Sequence, residues 1–180
     1  GESELTRPLP QLLHQLLSVE VMTLTHPPIL ETRTLEWPDE AACADHAATL
    51  ARRKALRNAY VELRGSLGAG KTTFVRHLLR ALGVQGRIKS PTYTVLEAYS
   101  VDSLEVSHFD FYRFADPREW EDAGFREVFA RPGLKLAEWP EKAEAALPTP
   151  DLRLLIEVLD DTRRRVTLQA CTARGVDLMA

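Results

Sequence analysis

The run Tyr60-Val-Glu-Leu-Arg-Gly-Ser-Leu-Gly-Ala-Gly-Lys-Thr-Thr73 constrains this chain more than any other stretch. It fits G-x-x-x-x-G-K-[ST], with Gly65, Gly70, Lys71 and Thr72 at the fixed positions. The spacing has a physical cause. Several backbone N–H groups must turn inward around a phosphate, and residues without a Cβ allow that conformation and closeness. Gly65, Gly68 and Gly70 supply the freedom, Lys71 reaches the β- and γ-phosphates, and the Thr72 hydroxyl is placed for Mg²⁺. The neighbours agree. Ala59–Leu63 reads as a short strand, and Phe74, Val75, Leu78, Leu79 and Leu82 recur at helical spacing up to a terminating Gly83. That helix aims its N-terminus, with free N–H groups and partial positive charge, at the phosphates. A glycine turn that binds nothing has no use for Lys-Thr after its last glycine.

The chain has 180 residues, the length of one domain, and a net charge of −3, which argues against nucleic-acid binding by bulk charge. Cys43 and Cys171 are too few and too far apart for a disulfide scaffold or a metal cluster, and read as thiols in a reducing compartment. No apolar run approaches the roughly 20 residues that span a bilayer, so a cytoplasmic protein with no membrane attachment is expected.

Residues 1–28 fit poorly with the remainder of the chain and read as a loosely ordered extension. Leu12, Leu13, Leu16, Leu17 and Val21 would line one face of a short helix there, and Met22 would serve as a natural start. Ile29–Glu36 reads as a first strand. A helix then begins with Pro38 in its first turn, runs through Ala41, Ala44, Ala48 and Leu50, and closes in Arg52, Arg53 and Lys54. A nucleotide base is placed against the start of this element, with Trp37 or Asp39 contributing. Beyond Gly83 comes a loop to Ser90. Ser90-Pro91-Thr92-Tyr93-Thr94 then leads into a strand-like run through Tyr99, and a second strand comes next over Leu104–Phe111, an antiparallel hairpin on a parallel core. Asp116-Pro117-Arg118-Glu119 has the capping-box arrangement for a short helix to Ala123. Leu134–Ala137 reads as a core strand, Glu141–Leu147 as a short helix, and Leu152–Val158 with Arg165–Cys171 as a closing hairpin. Residues 29–172 would form the nucleotide-binding domain and 173–180 a tail.

Two carboxylates fall where chemistry needs them. Asp110 sits near the end of an apolar strand, the place of a metal-directed carboxylate in nucleotide-binding folds. Glu138 lies at the C-terminal end of another strand, in the crevice where open parallel sheets bind ligands. His108 shares the side of its strand with Asp110 and reads otherwise as a core histidine. Tyr93, Phe111 and Tyr112 read as packing residues, one of them alternatively as a partner contact, and Trp139 as either a structural aromatic or one that meets a base or a partner.

Gly65-Ser-Leu-Gly-Ala-Gly-Lys-Thr-Thr73, Lys89-Ser-Pro-Thr-Tyr-Thr94, His108-Phe-Asp-Phe-Tyr-Arg113, Ala115-Asp-Pro117 and Ala137-Glu-Trp139 occur in that order. Together they resemble the TsaE (YjeE) family, bacterial ATPases required for the threonylcarbamoyladenosine modification of tRNA. The resemblance runs from about Ile29 to Cys171. The first 28 or so residues and the Trp37-Pro38 junction depart from the family pattern. It implies an α/β fold, a P-loop NTPase three-layer αβα sandwich with a mixed, mainly parallel sheet and antiparallel hairpin additions. It also implies weak ATP hydrolysis by the chain alone, coupled to a TsaB–TsaD heterodimer that ATP turnover resets, with tRNA reached through that complex. On this basis ATP is held by Ser66, Leu67, Gly68, Ala69, Gly70, Lys71, Thr72 and Thr73, and Mg²⁺ by Thr72, Asp110 and Glu138. Lys71, Asp110 and Glu138 form the catalytic set. Thr92 resembles a switch threonine that senses the γ-phosphate, and Arg113 either answers phosphate charge or makes a structural ion pair.

Other functions use the same loop. A small-metabolite or nucleoside kinase needs an arginine-rich lid, and only scattered arginines come after the loop. A GTPase needs Asn-Lys-x-Asp to read guanine, and the chain has none. A nucleotide-gated binding module differs from the ATPase only in whether hydrolysis is used.

Overall fold

The computed structural model describes residues 27–116, 118 and 124–180. The expected helices over residues 1–28 and 116–123 lie largely or wholly outside them. A seven-stranded mixed sheet organises the molecule: β1 (Glu31–Trp37), β2 (Tyr60–Arg64), β3 (Leu96–Val101), β4 (Leu104–Asp110), β5 (Leu134–Glu138), β6 (Leu152–Val158) and β7 (Arg164–Ala170). Their order across the sheet is β1-β7-β6-β2-β5-β4-β3. The central strands β6, β2, β5 and β4 run parallel, and β3 on one flank and β7 on the other pair antiparallel with them. β2 is buried along nearly its whole length, as a strand in mid-sheet must be.

The helices are α1 (Glu40–Ala51), α2 (Lys71–Leu82), α3 (Phe125–Ala130) and α4 (Ala173–Met179). Helices α1 and α2 cover one sheet face. Phe74, Val75, Leu78 and Leu79 of α2 join Val61, Leu63, Leu136, Leu154 and Ile156 in the larger apolar cluster. On the other face, Phe125 of α3 and Ala143 meet Tyr60, Phe109, Phe111 and Ala137. Thr32, Thr34, Glu36 and Arg165 of the outer strands stay exposed.

Several local expectations are corrected. Pro38 is not the first helical residue: Asp39 caps α1 from outside, accepting a hydrogen bond from the Ala42 N–H at 2.9 Å. The basic residues come after α1 rather than close it, since Lys54–Asn58 winds as a separate 3₁₀ turn. Residues 91–94, expected to lead into a strand, do so as a turn, and β3 begins at Leu96 after Val95 at φ 67°. Tyr93 therefore stands 81% exposed instead of packing. Two 3₁₀ turns, Pro140–Lys142 and Glu144–Ala146, replace the helix expected over 141–147.

The expected tail is helix α4. Its Leu178 and Met179 are buried in the larger cluster, and the Thr172 hydroxyl caps it by accepting from Gly175 N–H at 3.1 Å. A Cβ on Gly175 would sit 1.8 Å from the Asp151 carbonyl oxygen, so only glycine lets the helix approach β6 this closely. Asp151 completes the junction by accepting from Tyr60 N–H at 2.8 Å and from the Thr172 hydroxyl at 2.7 Å.

Candidate functional site

The loop between β2 and α2 crosses the C-terminal end of the parallel strands. Gly65, Gly68 and Gly70 all have positive φ. At Gly65 a second requirement applies, because a Cβ there would meet the Ile156 carbonyl oxygen at 2.5 Å. Ala69 N–H closes the loop onto the Ser66 carbonyl at 3.0 Å. Gly70 then leads into α2, whose first-turn N–H groups have no carbonyl of their own helix to bond.

Lys71 is 4% exposed. Its Nζ donates to the Gly65 carbonyl and to the Ser66 carbonyl at 3.0 Å, and lies 4.1 Å from the centre of the Trp139 ring. Burial pushes the ammonium below its ordinary pKa, while Glu138, Glu141 and Asp110 pull it back up. Trp139 itself turns the chain at φ 53° and leans on Tyr112 at 5.0 Å between ring centres.

The two carboxylates are neighbours. Parallel pairing of β4 with β5 sets Asp110 opposite Glu138. Asp110 accepts from Tyr112 N–H at 2.9 Å. Burial raises its pKa and the Glu138 charge adds to that, against the backbone hydrogen bond and the His108 and Lys71 charges. The Glu138 carboxylate accepts from the Thr72 hydroxyl at 2.7 Å through one oxygen and meets His108 Nε2 at 2.6 Å through the other. Lys71, Thr72, Asp110, Glu138 and Thr92 all border one cavity of about 240 Å³, with Leu67 to Gly70 and Thr73.

Thr92 thus reaches this cavity, its hydroxyl 2.8 Å from that of Ser90. Arg113 lies instead over the exposed Tyr93 ring, 4.4 Å from its centre. Ser66 contributes through its carbonyl to Lys71, and Leu67 stands 73% exposed at the rim. A second cavity, of about 290 Å³, shares Gly68, Ala69, Gly70 and Thr73 with the first and continues to Trp37, Asp39, Cys43, Asp161, Thr162 and Arg164. Trp37 is a buried wall there, stacked on Phe74 at 5.4 Å and donating to His46 Nδ1 at 3.1 Å. Burial pushes the Cys43 thiol up to about 12.

Reading the residues in order missed Arg164, whose Nε donates to the Ala69 carbonyl at 2.8 Å and props the loop from β7. Nothing in its neighbourhood in sequence marks it, because the contact spans the chain. His108 did carry a signal, its two-residue offset from Asp110, but its partner Glu138 comes from another strand.

Residues 36–166 match the family model described as "Threonylcarbamoyl adenosine biosynthesis protein TsaE". The chain belongs to the TsaE family. It is 43% identical over 120 residues to the tRNA threonylcarbamoyladenosine biosynthesis protein TsaE of Haemophilus influenzae, an alignment covering 67% of this chain and 75% of that one. Identity to the Bacillus subtilis protein of the same name is 39% over 108 residues, covering 60% of this chain and 67% of the relative. The crystal structure of YdiB from Bacillus subtilis superposes with a TM-score of 0.68 at 28% identity, covering 83% of this chain and 92% of that one. The TsaE match takes in the loop, both carboxylates, Thr92 and Arg164. Among the described residues, no helix is long and apolar enough to cross a membrane.

Proposed function

We propose that this chain binds ATP with Mg²⁺ and hydrolyses it, serving tRNA threonylcarbamoyladenosine modification as a nucleotide switch on a TsaB–TsaD heterodimer. The convergence of Lys71, Thr72, Asp110 and Glu138 on one cavity at the N-terminus of α2 carries the reading. Oxygen donors of this kind suit a hard cation. The Thr72 hydroxyl already lies 2.7 Å from Glu138, with Asp110 on the adjoining strand. Thr72 would hold the ion, with Asp110 and Glu138 beside it or one water away. Bound there, Mg²⁺ would supply neutralisation of phosphate charge.

The remaining work belongs to the chain. Backbone N–H groups of residues 66–73 and the helix end favour anionic oxygens. Lys71 exchanges its Gly65 and Ser66 carbonyl partners for phosphate oxygens. Glu138, a carboxylate on the cavity wall, orients the attacking water, so that catalysis rests on placement and charge rather than on covalent chemistry. Thr92, on a turn preceding β3, is the group that would register loss of the γ-phosphate.

The adenine base is assigned to the second cavity, reached from the first over Gly68 to Thr73. Thr162→Trp, which fills that cavity from an exposed turn, weakens ATP binding about tenfold, one 1.4 kcal/mol step. Tripolyphosphate, which has no base, binds the variant as it binds the parent. Equal losses for both ligands in a calorimetric titration would remove the base from this cavity.

The overall reading is tested by phosphate release with and without purified TsaB–TsaD, alongside reconstituted tRNA modification. Expected are slow Mg²⁺-dependent release without an acceptor, stimulation by the heterodimer, and modification that stops when this chain or ATP is withheld. Release that needs a small-molecule acceptor would make the chain a kinase. Modification that continues without the chain would refute the switch.

A further inference from the structure

His108 is the most deeply buried titratable side chain beside the cavity, at 0% exposed, and the Glu138 carboxylate that it meets is 2% exposed. Their contact of 2.6 Å is short, and it engages one carboxylate oxygen while Thr72 engages the other. A glutamate has three rotatable side-chain bonds, and at a strand end several rotamers compete. With one oxygen pinned at each side, a single orientation remains.

The anchor is itself rigid. His108 sits inside β4, in register with Glu97 of β3 and Leu136 of β5. Its Nδ1 is buried without a hydrogen-bond partner among the described residues. An N–H at Nδ1 would therefore be a buried orphan donor, so the tautomer with hydrogen on Nε2 is favoured, and that hydrogen points at Glu138. The imidazole thus donates to the carboxylate from behind, leaving the Thr72 side of Glu138 turned to the cavity.

We propose that His108 is a positioning residue for ATP hydrolysis, holding the Glu138 carboxylate in the orientation from which it acts on the attacking water. It touches neither nucleotide nor water. The inference rests on the assignment of Glu138 above, and the experiment separates the two.

Single-turnover ATP hydrolysis and calorimetric ATP affinity are measured on the full chain with Mg²⁺ for His108→Leu, His108→Gln, Glu138→Gln and His108→Leu combined with Glu138→Gln. Leucine fills the buried space without a donor, and glutamine restores an N–H near Nε2. His108→Leu is expected to slow hydrolysis about 10- to 100-fold, the usual loss on removing a supporting hydrogen bond of this kind. Its ATP Kd should stay within about threefold, because the loop and Lys71 carry binding. His108→Gln recovers most of the rate, and His108→Leu adds no further loss on the Glu138→Gln background. The inference is overturned if His108→Leu hydrolyses at the parental rate while Glu138→Gln does not. It is equally overturned if affinity falls as far as rate, if His108→Gln is no better than His108→Leu, or if the losses simply multiply in the double variant. Parental turnover by Glu138→Gln alone would instead bring down the assignment of Glu138.

Discussion

Lys71→Ala is expected to bind ATP at least about 100-fold more weakly than the parent, two steps of 1.4 kcal/mol. The side chain is already in place: 4% exposed, held by the Gly65 and Ser66 carbonyls, and flanked by the Trp139 ring. Such a cation loses little freedom on meeting phosphate, and what it gains there is a charge-assisted hydrogen bond in a poorly solvated place. Alanine leaves the triphosphate facing Asp110 and Glu138 with one positive charge fewer. Lys71→Arg should not restore affinity, since a planar guanidinium does not fit the compact space between loop and indole. Because burial lowers the Lys71 pKa, its charge is lost earlier as pH rises than that of an ordinary lysine. ATP affinity should therefore begin to fall on the alkaline side as pH passes through that lowered value, and level off only above the higher pKa that bound phosphate gives Lys71 in the complex. Calorimetric titration of ATP with Mg²⁺ across pH checks both statements. Parental affinity in Lys71→Ala would end the assignment of the loop.

Glu138→Gln should give the opposite signature, hydrolysis down at least about 100-fold with ATP affinity held or slightly improved. Glutamine keeps the shape and a polar partner for Thr72 but loses the charge that draws a proton from water. The same loss removes repulsion between the carboxylate and the γ-phosphate, so binding does not suffer. Glu138→Ala should also lose rate, with a larger effect on binding because it leaves the Thr72 hydroxyl and His108 without their shared acceptor. Single-turnover hydrolysis with saturating ATP, alone and with the TsaB–TsaD pair, measures the effect. Full turnover by Glu138→Gln under both conditions would leave Glu138 a purely structural role.

Strands and the glycine-rich loop between β2 and α2 are legible in the sequence because each is specified locally. The alternation of Val61 and Leu63, the helical spacing of Phe74 to Leu82 and the glycines of the loop all act within a few residues. Errors fell where local rules compete with distant packing. Residues 173–180 are too short to read as more than a tail until Leu178 and Met179 are buried in the larger core. Residues 141–147 have helical composition, yet the chain leaves Trp139 in a left-handed conformation and settles for two 3₁₀ turns. Residues 91–94, which lead into β3, wind as a turn, and Val95 takes φ 67° before the Leu96 register with β4 begins.

By itself the sequence determined the groups on offer: a glycine-rich loop, a lysine and a threonine after it, and two acids at strand ends. Tertiary structure decided how those groups meet. Parallel pairing of β4 with β5 set Asp110 beside Glu138, burial placed His108 against that glutamate, and Arg164 reached the loop from β7. The physical reason is that a side chain's type and the face of the strand it occupies come from local periodicity, whereas its partner is set by the order of strands across the sheet. That order is fixed by burying the whole apolar surface at once, a quantity that no short stretch of sequence carries.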